Sequence, residues 1–112
     1  MMVVTSNKIP TSRWTFLTNH GHVLIAIARD PGARLRDVAE RVGITERAVQ
    51  GIVSDLVDTG YVERIRVGRR NQYSVRDNLP FRHPLEQDYM VGVLVRMLGG
   101  STSLPGPFGG AT

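Results

Sequence analysis

Apolar residues recur along the middle of the chain in two rhythms, one of three to four residues and one of two. The first rhythm predicts helices. Thr18 or Asn19 can cap a helix through HGHVLIAIARD that ends before Pro31-Gly32. A second, short helix, RDVAERV, sets Val38, Ala39 and Val42 on one face, with Leu35 leading in, and stops at Gly43. Thr45 caps a third that runs to Thr59, with Gly60 as its terminator. At about 100° per residue, Val49, Ile52, Val53 and Leu56 fall within one narrow arc of that third helix. The rhythm then changes to two. Tyr61, Glu63, Ile65 and Val67 alternate with Val62, Arg64 and Arg66, and Tyr73 and Val75 alternate with Gln72 and Ser74. The break at Gly68-Arg69-Arg70 makes this a β-hairpin. After Asn78-Leu79-Pro80, HPLEQDYMVGVLVRML predicts a fourth helix over about residues 83–98, with Pro84 in its first turn.

The order of three helices, hairpin and helix predicts a mainly α fold with a β-hairpin wing, an α+β winged helix-turn-helix with an added C-terminal helix. Residues 1–12 are polar and aperiodic and are expected to form a flexible arm. Residues 99–112, rich in Gly, Pro, Ser and Thr, are expected to be a disordered tail, which leaves residues 13–98 as one folded domain. A length of 112 residues agrees with a single modest core.

Composition narrows the chemistry. Fourteen basic residues against ten acidic ones give a formal charge of +4, and every basic residue except Lys8 is an arginine. Arginine's planar fork matches phosphates and guanine edges better than a lysine does. The sequence contains no cysteine, which removes disulfides, thiolate metal sites and thiol nucleophiles. The N-terminal stretch lacks the apolar core of a secretory signal, so a cytoplasmic location with no membrane span is expected.

Two helices joined at Gly43 form a helix-turn-helix arrangement. On the third helix the face opposite the apolar arc carries Arg47, Gln50, Gly51 and Ser54. Arg47 can fork onto guanine and Gln50 can bridge adenine. Helix-turn-helix proteins dock the N-terminal part of the second helix of the pair, which favours Thr45, Glu46, Arg47 and Gln50 as the reading positions. Five arginines and no acid lie between Arg64 and Arg76, on and around the hairpin that follows. Their placement suits the phosphates flanking a groove. The expected partner is double-stranded DNA.

The segment LRDVAERVGITERAVQGIVSDLVDTGYVERIRVGRRNQYSV, within the span from Thr18 to Val75, resembles the winged helix-turn-helix domain of the bacterial MarR and ArsR regulator families. The stretch from WTFLTNHGHVLIAIARD through FRHPLE is also similar to a group of small regulator-like winged-helix proteins. The resemblance implies a DNA-binding transcriptional regulator. It implies DNA contacts from Arg36 at the start of the second helix, Thr45, Arg47 and Gln50 on the reading helix, and Arg64, Arg66, Arg69 and Arg70 on the wing. Asn71, next to the wing turn, is a further candidate contact. Two residues depart from the pattern: Gly51 stands where many MarR-like helices carry a basic residue, and Glu46 where a small or basic one is common. Glu46 is explained by the helix dipole, which favours an acid in the first turn, or by an acceptor role toward cytosine. Gly51 is explained by drift, or by a close approach of the backbone to DNA or to the wing.

The fourth helix is apolar on both sides. Val91, Leu94, Val95 and Leu98 can cover the domain's own core, whereas Tyr89, Met90, Val93 and Met97 are left for a partner helix, so a homodimer is expected. Catalysis has no supporting motif, and no cofactor is expected. His20, His22, His83, Glu86 and Asp88 are the only metal-ligand candidates. The two histidines at the start of the first helix diverge and make a poor pair, so no metal is expected, although ArsR-like sensors use such residues in terminal helices. Two further readings remain open: a winged-helix module that binds protein or RNA, and a repressor that answers to a metal or another ligand.

Overall fold

The computed structural model describes residues 14–99, so the expected arm and all of the expected tail beyond Gly99 lie outside the described residues. The chain runs α1 (Asn19–Arg29), α2 (Leu35–Val42), α3 (Glu46–Asp58), β1 (Val62–Val67), β2 (Arg70–Val75) and α4 (Val91–Leu98). Thr18 caps α1 by accepting from the Gly21 amide, and Thr45 caps α3 by accepting from the Ala48 amide at 3.0 Å. Each cap satisfies a first-turn donor that the helix itself leaves free. Gly43 and Gly60 both sit at φ 90°, a left-handed conformation that lets the chain leave α2 and α3 sharply.

The core is where the three-to-four rhythm of the sequence puts it. Val23, Leu24, Ala26 and Ile27 of α1 meet Val38 and Ala39 of α2 and Val49, Ile52, Val53 and Leu56 of α3. Val23, Val38, Val49 and Val53 are wholly enclosed, and each contributes about 1.5–3 kcal/mol through its burial. The arc predicted on α3 is buried in full.

The hairpin is antiparallel, with Val62 opposite Val75, Arg64 opposite Tyr73, Arg66 opposite Asn71 and Val67 opposite Arg70. Opposed residues share a face, so Val62, Tyr73, Arg64 and Arg66 lie on the same side of the ribbon. Val62 and Tyr73 close the core, while Ile65 and Val67 on the other side are exposed. The turn is one residue shorter than the sequence suggested. Gly68, at φ 64°, makes it with Arg69, and Arg70 already belongs to β2. The Tyr73 amide donates to the Pro31 carbonyl at 3.1 Å, which ties β2 to the loop after α1.

The fourth helix differs most from expectation. It begins at Val91 rather than near residue 83. The preceding residues form turns, in which the Glu86 amide donates to the His83 carbonyl and the Tyr89 amide to the Glu86 carbonyl. Phe81 and Tyr89 pair through their backbones, and the His83 ring accepts from the Leu85 amide. From His83 to Asp88 the only large apolar side chain is Leu85, which is exposed, so a helix there would have no face to bury. From Val91 onward such a face exists. Val91 is buried and Leu94 and Val95 are half-buried, but Leu98, expected to face inward, is on the exposed side. The Arg29 guanidinium donates to the Leu98 carbonyl at 3.0 Å and fastens the end of α4 to the end of α1.

Candidate nucleic-acid interface

Because α3 spends one arc on the core, its opposite arc is open. Glu46, Arg47, Gln50, Gly51 and Ser54 are all exposed. Thr45, at the N-terminal end, uses its hydroxyl oxygen as the cap acceptor and keeps its proton for donation. A side chain added at Gly51 would meet no protein atom within 4 Å. The wing therefore does not crowd Gly51, and of the close approaches considered for it only one to a bound nucleic acid remains.

Arg36 is exposed in the first turn of α2, and Arg34, the residue before that helix, is exposed as well. Sequence reasoning passed over Arg34, although its position two residues from Arg36 at the same helix terminus was a visible signal.

The wing arginines divide by what holds them. Arg64 lies over the Tyr73 ring, 5.9 Å from its centroid, a cation–π contact worth about 0.5–1 kcal/mol at an exposed site. Arg66 donates its Nε to the Gly68 carbonyl at 3.0 Å, which braces the turn and leaves the outer nitrogens of its fork available. Arg69 stands at the exposed tip. Arg70, by contrast, reaches back across the fold and donates an Nη to the Gly32 carbonyl at 2.6 Å. Asn71 is half-buried opposite Arg66.

The other groups singled out in the sequence are scattered. His20 pairs with Asp55 of α3 at 2.8 Å, whereas His22 faces Asn19 at 3.3 Å. Among the described residues no three His, Asp or Glu side chains gather as metal ligands. Among those residues, too, no helix is long and apolar enough to cross a membrane. Tyr89, Met90, Val93 and Met97 are exposed by 63, 52, 44 and 67%. Only Val93 and Met97 are on α4, because Met90 caps it and Tyr89 belongs to the turns before it. Trp14 and Phe16 stack edge-on against each other with their centroids 4.9 Å apart, and both are exposed.

A family model for the MarR family matches residues 15–70, half of the chain. The chain belongs to the MarR family. The matched residues run from the approach to α1 to the start of β2 and so contain the helix-turn-helix and the wing tip. Among solved structures the chain is similar to the PcaV transcriptional regulator from Streptomyces coelicolor, crystallised with its natural ligand, at 31% identity and a TM-score of 0.48. That alignment covers 55% of this chain and 45% of the regulator, so the chain spans less than half the length of this relative. Curated proteins provide no match. Four helices and an antiparallel hairpin make the winged helix-turn-helix of the family. Family and fold are those of DNA-binding transcriptional regulators, not of enzymes.

Proposed function

We propose that this MarR-family chain is a sequence-specific double-stranded DNA-binding protein and a transcriptional regulator, acting as a homodimer in the cytoplasm. In this reading the N-terminal half of α3 enters the major groove, with Arg47 and Gln50 against base edges. Arg36, Arg66 and Arg69 hold the flanking phosphates, and Arg64 supports them from the wing. The observation that carries the reading is the exposed face of Arg47, Gln50, Gly51 and Ser54 on a helix whose other face is sealed in the core, next to a wing that carries arginines and no acid between Arg64 and Arg76.

The dimer is supported by the stripe of Tyr89, Met90, Val93 and Met97, an exposed apolar surface with no covering element among the described residues. Two copies place two reading helices on one duplex, and a pseudo-palindrome with half-sites about one helical turn apart is the matching target.

Selection of bound fragments from random duplex DNA tests the proposal. An enriched inverted repeat, held less tightly as salt is added, is the expected result. Retention that shows no enrichment and no salt dependence refutes it. It would favour a protein-interaction module, since the wing charge would then have no polyanion to meet.

A further inference from the structure

The wing has one open edge. On its β2 side the Tyr73 amide points away from β1, to the Pro31 carbonyl. Tyr73 and its partner Arg64 are therefore one of the antiparallel pairs that exchange no hydrogen bonds. Alternation along the ladder puts Arg66 and Asn71 in the same class. In such a pair both residues turn their backbone N–H and C=O groups outward. Those of Arg64 and Arg66 thus point away from β2, and among the described residues they meet no backbone partner. An open row of this kind is a template for a further strand.

The side chains along this edge divide by face. Arg64 and Arg66 stand on one side of the ribbon. Ile65 and Val67, exposed by 41 and 50%, stand on the other, where Glu63, Arg70, Gln72 and Ser74 are polar. Charge decides the occupant. A second copy of β1 laid antiparallel about Ile65 would set Arg64 against Arg66, and like charges opposed across strands are unfavourable. Residues 1–13 carry Lys8 and Arg13 and no acid, and residues 100–112 carry no charged side chain. We propose that the outer edge of β1 takes an extended peptide segment of another protein, in which acidic residues alternate with β-branched ones. Its backbone completes the ladder at Arg64 and Arg66, its carboxylates meet their guanidiniums, and its apolar side chains cover Ile65 and Val67. Arg66 cannot serve a peptide carboxylate and a phosphate at once, so the segment competes with duplex DNA. This competition rests on the DNA-binding reading above; the strand pairing does not.

The test uses the full chain and three end-blocked peptides at low ionic strength: TEVEVET, its isomer TEEVVET, which keeps the charge and loses the alternation, and the basic TKVKVKT. At saturation TEVEVET should slow amide hydrogen exchange at Arg64 and Arg66 by at least about tenfold, because those protons gain partners. The change should be smaller at Ile65 and Val67, whose amides are already bonded to β2. TKVKVKT should have no effect. Ile65→Thr with Val67→Thr keeps the β-branched shape and both arginines. It should weaken TEVEVET binding severalfold and leave duplex affinity as it was, which shows that the wing is intact. An equal effect from TEEVVET overturns the proposal, because charge alone would then explain it. Undiminished binding of TEVEVET by the threonine variant, or no slowing by TEVEVET at all, overturns it too. So does exchange at Arg64 and Arg66 as slow in the free chain as at Ile65 and Val67, the result expected if a second copy or residues 1–13 already cover the edge. Duplex binding is measured on the same preparation. TEVEVET should raise the duplex Kd severalfold, and an unchanged Kd overturns the competition. A chain that binds no duplex even without peptide refutes the DNA reading instead and leaves amide exchange to judge the edge.

Discussion

Replacing Gly51 with alanine separates two properties that most substitutions on a reading helix change together. Gly51 lies in the interior of α3, with nearly two turns of helix on the C-terminal side. A glycine there costs about 1 kcal/mol relative to alanine, because it loses more backbone freedom on folding. The gain from alanine can be offset only by a clash, and the new Cβ would have no protein neighbour within 4 Å. Gly51→Ala should therefore stabilise the protein by close to the full difference. For a folded unit of this size that is a rise in Tm of about 4–8 °C, read by thermal unfolding. A Tm that falls or does not move refutes the reasoning, since it would mean that the helix or its surroundings differ from those described. Duplex affinity on the same preparation then decides why the glycine is there. Weaker binding by a more stable protein means that DNA approaches the backbone too closely for a methyl group. Unchanged binding means that the position drifted. A Gly51→Arg variant that binds every duplex more tightly also excludes a close approach, because it shows room for a long side chain.

Other substitutions should give distinct signatures. Gly92→Ala should destabilise by about 1–3 kcal/mol, opposite in sign to Gly51→Ala, because its Cβ would stand 2.7 Å from the Asp77 carbonyl oxygen, a backbone atom that also accepts from the Gly92 amide; denaturant unfolding measures it. Arg66→Ala with Arg69→Ala should lower the slope of log affinity against log salt by about 0.9 per residue and protomer, whereas Arg70→Ala should weaken binding with a smaller change of slope; salt titrations distinguish these. Arg47→Ala should relax preference at one base pair per half-site, at a cost of about 1–3 kcal/mol on the favoured base, and a uniform loss across sequences in a competition assay would reassign it to the phosphates. Met90→Glu with Val93→Glu should yield folded monomers by light scattering, and a wild-type protein already at monomer mass would refute the homodimer.

Helices α1 to α3 and the hairpin were legible because local signals agreed at each boundary. Thr18 and Thr45 announce helix starts, Gly43 and Gly60 announce stops, and the apolar spacing between them matches the observed core. The α4 start was misplaced because Pro84 is compatible with a first helical turn and nothing in the sequence forbids one. What decides that boundary is tertiary. The segment from Phe81 to Met90 folds back so that Pro80 and Met90 pair, and the Tyr61 hydroxyl donates to the Pro80 carbonyl. The Val91 and Gly92 amides, left free as the first donors of α4, go to the Leu79 and Asp77 carbonyls. The helix begins where those acceptors are, and their positions depend on the hairpin.

The exposed face of α3 was likewise legible, being the complement of a core arc fixed by spacing. The wing was less so, because counting arginines treats each as a free charge. Arg70 is the instructive case. Its bond to the Gly32 carbonyl crosses 38 positions of sequence, and no periodicity could have revealed it. Together with the bond from the Tyr73 amide to Pro31, it anchors β2 to the loop after α1 at two points on neighbouring residues. A two-stranded ribbon alone is marginal in water. Fixed at both points, it can present Arg66 and Arg69 with less ordering left to do on binding. In the proposed interface, Arg70 thus helps to position Arg66 and Arg69 through its bond to the Gly32 carbonyl.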